Sequence, residues 1–119
     1  MREIKFKLWN VKKKKFYGPY SIYKINYGDS DPDEWIPVEY AGIPDKNDRD
    51  IYEGEIWNIG SHYEGDTYYK EYIGVVVFRE GEFFIEGKGE YEGCDLFDAI
   101  HNWGNHIGNI YENPELLKE

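Results

Sequence analysis

Residues 68–86 read YYKEYIGVVVFREGEFFIE: two runs of β-branched and aromatic residues, Tyr68–Phe78 and Glu82–Glu86, on either side of Arg79-Glu80-Gly81. Val, Ile, Phe and Tyr suit a pleated, half-buried surface, and a short connection ending in Gly supplies the positive φ that a tight hairpin needs. The stretch predicts a β-hairpin and places the chain among β-rich folds. Immediately upstream, Ser61–Thr67 reads as a polar loop. Ile51–Ile59 (IYEGEIWNI) reads as another strand, in which Glu53 and Glu55 share one face and Gly54 and Ile56 the other. Before it, Gly42–Asp50 (GIPDKNDRD) is dense in turn formers, with Asn47-Asp48 able to take positive φ.

Further toward the N-terminus, Glu34–Tyr40 (EWIPVEY) predicts a short strand whose Pro37 marks an edge or a bulge, and Gly28–Pro32 reads as a loop. Residues 3–9 alternate, with Glu3, Lys5 and Lys7 on one side and Ile4, Phe6 and Leu8 on the other, the period of a half-buried strand closed by Trp9. Asn10–Lys15 then connects to Phe16–Tyr27 as a first hairpin with Lys12–Lys15 at its tip. Downstream, Asp95 caps a predicted helix with Leu96, Phe97, Ala99, Ile100 and Trp103 at helical spacing, stopped by Gly104. His106–Tyr111 reads as a last strand, and Asn113-Pro114 opens a short terminal helical turn. Many short strands with one amphipathic helix predict a β-rich barrel or sandwich capped by that helix. Tyr-Glu-Gly recurs at 52, 63 and 91, at unequal spacings that indicate turn chemistry and not a structural repeat.

A length of 119 residues suits one domain over 1–119, long enough to close a core without disulfides. Cys94 is the only cysteine, so no internal disulfide is available, and the opening MREIKFK offers no apolar run for a signal peptide or membrane span. A cytoplasmic, membrane-free protein is expected. The net charge of −10 is unevenly spread, since residues 1–27 hold eight Lys/Arg against one Glu and the rest is strongly acidic. A dominant basic surface, which phosphate neutralisation requires, is absent, so generic DNA binding is disfavoured. The acidity reads either as a solubilising surface or as a face that meets a basic partner.

Two runs are idiosyncratic: Glu39–Ile56 (EYAGIPDKNDRDIYEGEI) and Gly108–Leu117 (GNIYENPELL). With the opening Arg2–Trp9 (REIKFKLW) they resemble the YopX family of small proteins encoded by bacteriophages and prophages. The resemblance is most specific at Asp45-Lys46-Asn47, Ile51–Gly54 and Gly108–Leu117. It departs at Asp48, where the family usually has Gly, and at Glu55, where the family motif Tyr-Glu-Gly-Asp ends in Asp. It implies an SH3-like barrel and a phage or prophage origin, and it carries over no catalytic residue.

The combinations able to support chemistry are few. Asp45, Asn47 and Asp50 fail the calcium-loop pattern, which needs Gly and Glu where Asp50 and Ile56 stand. Cys94, His101 and His106 meet no zinc spacing, and Cys94 as a nucleophile lacks an evident orienting group. No phosphate loop, nucleophile elbow or dinucleotide fingerprint occurs. Neither metal nor cofactor is expected. The leading expectation is a non-enzymatic interaction module that meets a host or phage protein through an acidic, Tyr-rich face, with Trp35, Tyr52, Glu53, Glu55 and Trp57 as contributors. Association of identical copies is left open. The first alternative is a nucleic-acid-binding barrel using Arg2, Lys5, Lys7, Lys12, Lys13, Lys14 and Lys15; the second is a small hydrolase using Glu53 and Glu55 as an acid/base pair.

Overall fold

The structure, a computed structural model, describes residues 3–21, 31–87 and 94–117, without the side chains of 32 and 94–98. Arg2, residues 22–27 of the predicted Phe16–Tyr27 strand and most of the predicted Gly28–Pro32 loop therefore lie outside the described residues. The fold is mainly β. Strands β1 (Lys5–Asn10) and β2 (Lys15–Ser21) form the first hairpin, β3 (Trp35–Pro44) and β4 (Asp50–Tyr52) the second, and together they make a four-stranded antiparallel sheet in the order β2-β1-β3-β4. Strands β5 (Glu55–Ile59), β8 (Tyr72–Arg79), β9 (Glu82–Gly87), β10 (Cys94–Asp95) and β11 (Gly104–Asn109) make a five-stranded sheet, β10-β9-β8-β5-β11. A separate two-stranded ribbon is built from β6 (His62–Glu64) and β7 (Thr67–Tyr69), and one helix, α1 (Leu96–Trp103), covers the larger sheet. Pro114–Leu117 forms a closing 3-10 turn.

The hairpin that decided the fold is present. Glu80 and Gly81 both take positive φ (51° and 84°), the turn whose twist matches that of its strands, and Phe78 faces Phe83 across the ladder with rings 4.8 Å apart. The first hairpin also forms. Its tip is organised by buried Asn10, whose side-chain oxygen accepts the Lys12 and Lys13 amides at 3.0 and 2.8 Å.

Two cores sit on opposite sides of the β3–β4 ribbon. The larger joins Ala41, Ile51, Trp57, Ile59, Tyr72, Val76, Ile85, Ala99 and Ile100. The smaller joins Val38, Tyr40 and Tyr52 with Phe16 and Tyr111 packed on it. Strand alternation explains the division: neighbours Tyr40 and Ala41, and Ile51 and Tyr52, point to opposite faces, so each pair sends one side chain to each core.

The structure corrects several expectations. The closed SH3-like barrel is not formed: the ladders of the described residues stay open, with β2 and β4 at the edges of one sheet and β10 and β11 at the edges of the other. The expected single strand Ile51–Ile59 is broken at Glu53-Gly54 into β4 and β5, which belong to different sheets, so this corner joins the two halves of the fold. Glu53 therefore lies in the turn itself and Glu55 opens β5, so the two do not share a strand face. β3 runs on through Gly42-Ile43-Pro44, because Ile43 packs on the larger core and holds the chain extended. At Pro37 the strand pairs with β1 alone, as the proline required, before its distal half takes up β4. The Ser61–Thr67 segment is no loop but most of a ribbon. Asn113 does not cap the closing turn with its side chain, which accepts the Asn109 amide at 3.2 Å.

The Asp45–Arg49 turn shows what the Asp-Lys-Asn motif does. Asp45 is buried, and its carboxylate accepts the amides of Asn47 and Arg49 at 2.8 and 2.9 Å and the Arg49 guanidinium at 3.3 Å. Burial alone would raise its pKa, but these donors prevail and hold it below the ordinary range. Asp48 takes φ 63°, so it fills the left-handed position expected for this turn. Asp45→Ala leaves the part-buried Asn47 and Arg49 amides without their acceptor and is expected to cost about 1–2 kcal/mol, read from the urea midpoint, with Asp45→Asn recovering part of the loss.

Candidate functional site

The corner Tyr52-Glu53-Gly54-Glu55 is held by backbone bonds to three other elements. Glu53 N–H donates to Glu39 at 2.9 Å, Gly54 N–H to Val76 at 2.8 Å, and the Gly54 carbonyl accepts Ile110 N–H at 2.9 Å. Gly54 takes φ 88°, a conformation that favours glycine. The turn swings the Glu55 carboxyl back toward β4. One oxygen accepts the Tyr52 amide and the other the Trp57 indole N–H, both at 3.0 Å. On neighbouring β11, His106 pairs in register with Trp57 and brings Nε2 to 3.9 Å from the same carboxyl.

Together these residues border a cleft of about 410 Å³, whose lining includes Lys7, Phe16, Pro19, Val38, Arg49 and Tyr52 beside the acids. A second hollow of about 290 Å³ shares Arg49 and His106 with it. Burial pushes the Glu55 pKa up to about 7 against the lowering effect of its two N–H donors and of the Lys7 and Arg49 charges. Burial also lowers the His106 pKa, with the Arg49 charge acting the same way. Glu53 is half-buried, and its pKa is raised by burial and by the Glu39 charge.

Of the five residues expected to bind a partner, the structure gathers Tyr52, Glu53 and Glu55 around the cleft, with Trp57 on the second hollow and Trp35 elsewhere, half-buried against Tyr17 at 5.2 Å. Tyr52 and Trp57 are each only 3% exposed, so their rings cannot be surface anchors. The Tyr52 hydroxyl is buried without a hydrogen-bond partner among the described residues, and burial pushes its pKa up to about 12.

The basic N-terminal residues are likewise dispersed. Lys5 pairs with Asp50 at 2.7 Å and lies over the Tyr40 ring, Lys7 lies over Tyr52 at 4.4 Å, and Lys12 pairs with Glu34 at 3.0 Å. Lys13, Lys14 and Lys15 are exposed at the hairpin tip, and Lys15 reaches over Tyr17. Among the described residues no three His, Cys, Asp or Glu side chains are grouped to hold a metal ion. Among them also, no helix is long and apolar enough to cross a membrane.

The β6–β7 ribbon carries a feature that sequence reasoning missed. Its register pairs His62 with Tyr69 and Tyr63 with Tyr68. His62 is buried, stacked on Trp103 at 3.6 Å and bonded through Nδ1 to the Gly60 carbonyl at 2.8 Å, which ties this face to the body. The opposite face presents Tyr63 and Tyr68, 68% and 52% exposed, with ring centroids 5.0 Å apart. The available signal was the spacing of both tyrosines about Gly65-Asp66, which places them on one face of a two-residue hairpin.

Comparison with known proteins places the chain. A family model described as YopX protein matches residues 5–118. Protein EF1440 from Enterococcus faecalis, a crystal structure, is similar with a TM-score of 0.64 over 99% of this chain and 100% of that one, at 19% sequence identity. At that identity the likeness is one of fold. No curated protein matches the chain.

Proposed function

The chain belongs to the YopX family, and for this member we propose a non-enzymatic interaction module that binds a basic protein segment through the outer face of the β6–β7 ribbon. The exposed Tyr63–Tyr68 pair carries the reading. Two aromatic rings already packed together offer contact area at little further entropic cost, the property of binding hot spots. Their setting selects the partner's charge: residues 63–71 hold Glu64, Asp66 and Glu71 against Lys70, and the whole chain carries −10. Such a field favours encounter with a cationic surface and weakens with salt. A phage or prophage origin makes a host protein a natural partner.

The test is capture from phage-infected bacterial extract at low and high salt, followed by affinity measurement with the purified captured protein. The native chain is expected to retain a basic protein that high salt releases, and Tyr63→Ser with Tyr68→Ser to weaken it roughly tenfold or more without loss of fold. Sedimentation showing self-association that depends on the two tyrosines would replace that partner with a second copy. Binding of single-stranded DNA at low salt that depends on Lys13–Lys15 would favour the nucleic-acid reading instead.

A further inference from the structure

The cleft at the corner of the two sheets has a chemistry independent of the tyrosine ribbon. Its acids are mostly committed: Asp50 to Lys5 at 2.7 Å, Glu112 to the Asn109 side-chain Nδ2 at 2.8 Å, and Glu55 to two N–H donors. Its donors are more open. The Lys7 ammonium rests on the faces of Tyr52 and Phe16, at 4.4 and 5.8 Å, and has no ion-pair partner among the described residues. Arg49 gives Nε to Asp45 and lines the cleft, as does His106. Lys7 and Arg49 both line this cleft, and their charges act on both Glu55 and His106. Phe16, Pro19 and Val38 supply an apolar wall.

We propose that this cleft binds a small organic acid, its single anionic head between Lys7, Arg49 and His106 and its apolar body against Phe16, Pro19 and Val38. A bound carboxylate would give Lys7 an ion-pair partner, which it does not have among the described residues, and gain charge-assisted hydrogen bonds. Glu53, on the same lining, disfavours a second negative charge. The volume of about 410 Å³ is within the range of pockets that take small molecules.

Benzoate is a suitable probe, with benzamide as its uncharged counterpart, followed by two-dimensional NMR through the Trp57 indole N–H and the amides of β1 and β11. Benzoate is expected to shift these signals saturably in the millimolar range, and benzamide to bind roughly tenfold more weakly, the ratio that one lost charge-assisted contact brings. Lys7→Met, which keeps an unbranched stem on the Tyr52 ring, and Arg49→Gln should each weaken benzoate by several-fold. Absence of a saturable shift, equal binding of benzamide, or undiminished benzoate affinity in both folded variants would overturn the proposal. The comparison of the two probes on the native chain decides even if a variant fails to fold.

Discussion

Replacing Gly54 with alanine is expected to lower the unfolding free energy by roughly 3 kcal/mol, a large part of the ~5–15 kcal/mol that holds a domain of this size. Two costs combine. A left-handed backbone disfavours any L side chain by about 1–2 kcal/mol, and here φ is 88°. The new methyl would also stand 3.0 Å from Tyr111 Cε2 and 3.4 Å from Ile110 Cγ1, inside the packing of the smaller core, where overpacking costs about 1–3 kcal/mol. The glycine cannot move aside freely, because its N–H and carbonyl are bonded to Val76 and Ile110. Gly65→Ala is the control: φ is 63°, but nothing lies within 4 Å of the added carbon. It should cost about 1 kcal/mol, from backbone conformation alone. Equal losses in urea unfolding would contradict the assignment of Gly54 as the joint between the sheets.

Stability should also fall as pH rises from about 5 to about 8, and Glu55 is the main cause. Its pKa is raised from an ordinary 4.5 to about 7 in the folded protein. Between those values the folded state holds a proton that the unfolded state has released, so rising pH favours unfolding until Glu55 is ionised in both. At about 1.4 kcal/mol per pKa unit the loss is on the order of 3 kcal/mol. Glu53, raised in the same direction, adds to it. His106 opposes it at the acid end: its folded pKa is lowered, so stability rises with pH until the unfolded imidazole is neutral near 6.5. Asp45 is held low and contributes stability that disappears only in stronger acid. Glu55→Gln should flatten most of the decline, although its amide nitrogen must then face one of the two N–H donors. Native stability that rises from pH 5 to 8, or an unchanged slope in the Gln variant, would be the contrary result.

The hairpins, the helix and the division into short strands were legible because local chemistry dictates them. Gly81 permits the tight turn, Asn10 organises the first hairpin tip, and Gly104 follows the last helical residue. The break at Gly54 was only partly legible: a glycine there permits close backbone approach or a bulge, but YEGE is also compatible with an unbroken strand, and the corner depends on Glu39, Val76 and Ile110, remote in sequence. Without that corner, a closed barrel was the natural expectation. The site was half legible for the same reason. Tyr52, Glu53 and Glu55 were singled out, but the cleft depends on Lys7, Arg49 and His106, which only the fold brings beside them. The alternation of Lys5 and Lys7 suggested a solvated face, whereas their ammonium groups lie over Tyr40 and Tyr52. Tyr63 and Tyr68 were hidden by abundance, in a chain with 12 tyrosines of which most have structural roles available.

A photoreactive benzoylphenylalanine in place of Tyr63, irradiated in infected cells, tests the proposed binding face most directly. A crosslink to a basic protein is expected from position 63, and none from the same group in place of Phe78, an exposed aromatic on the β8–β9 hairpin. A crosslink from position 78 with none from position 63 would contradict it.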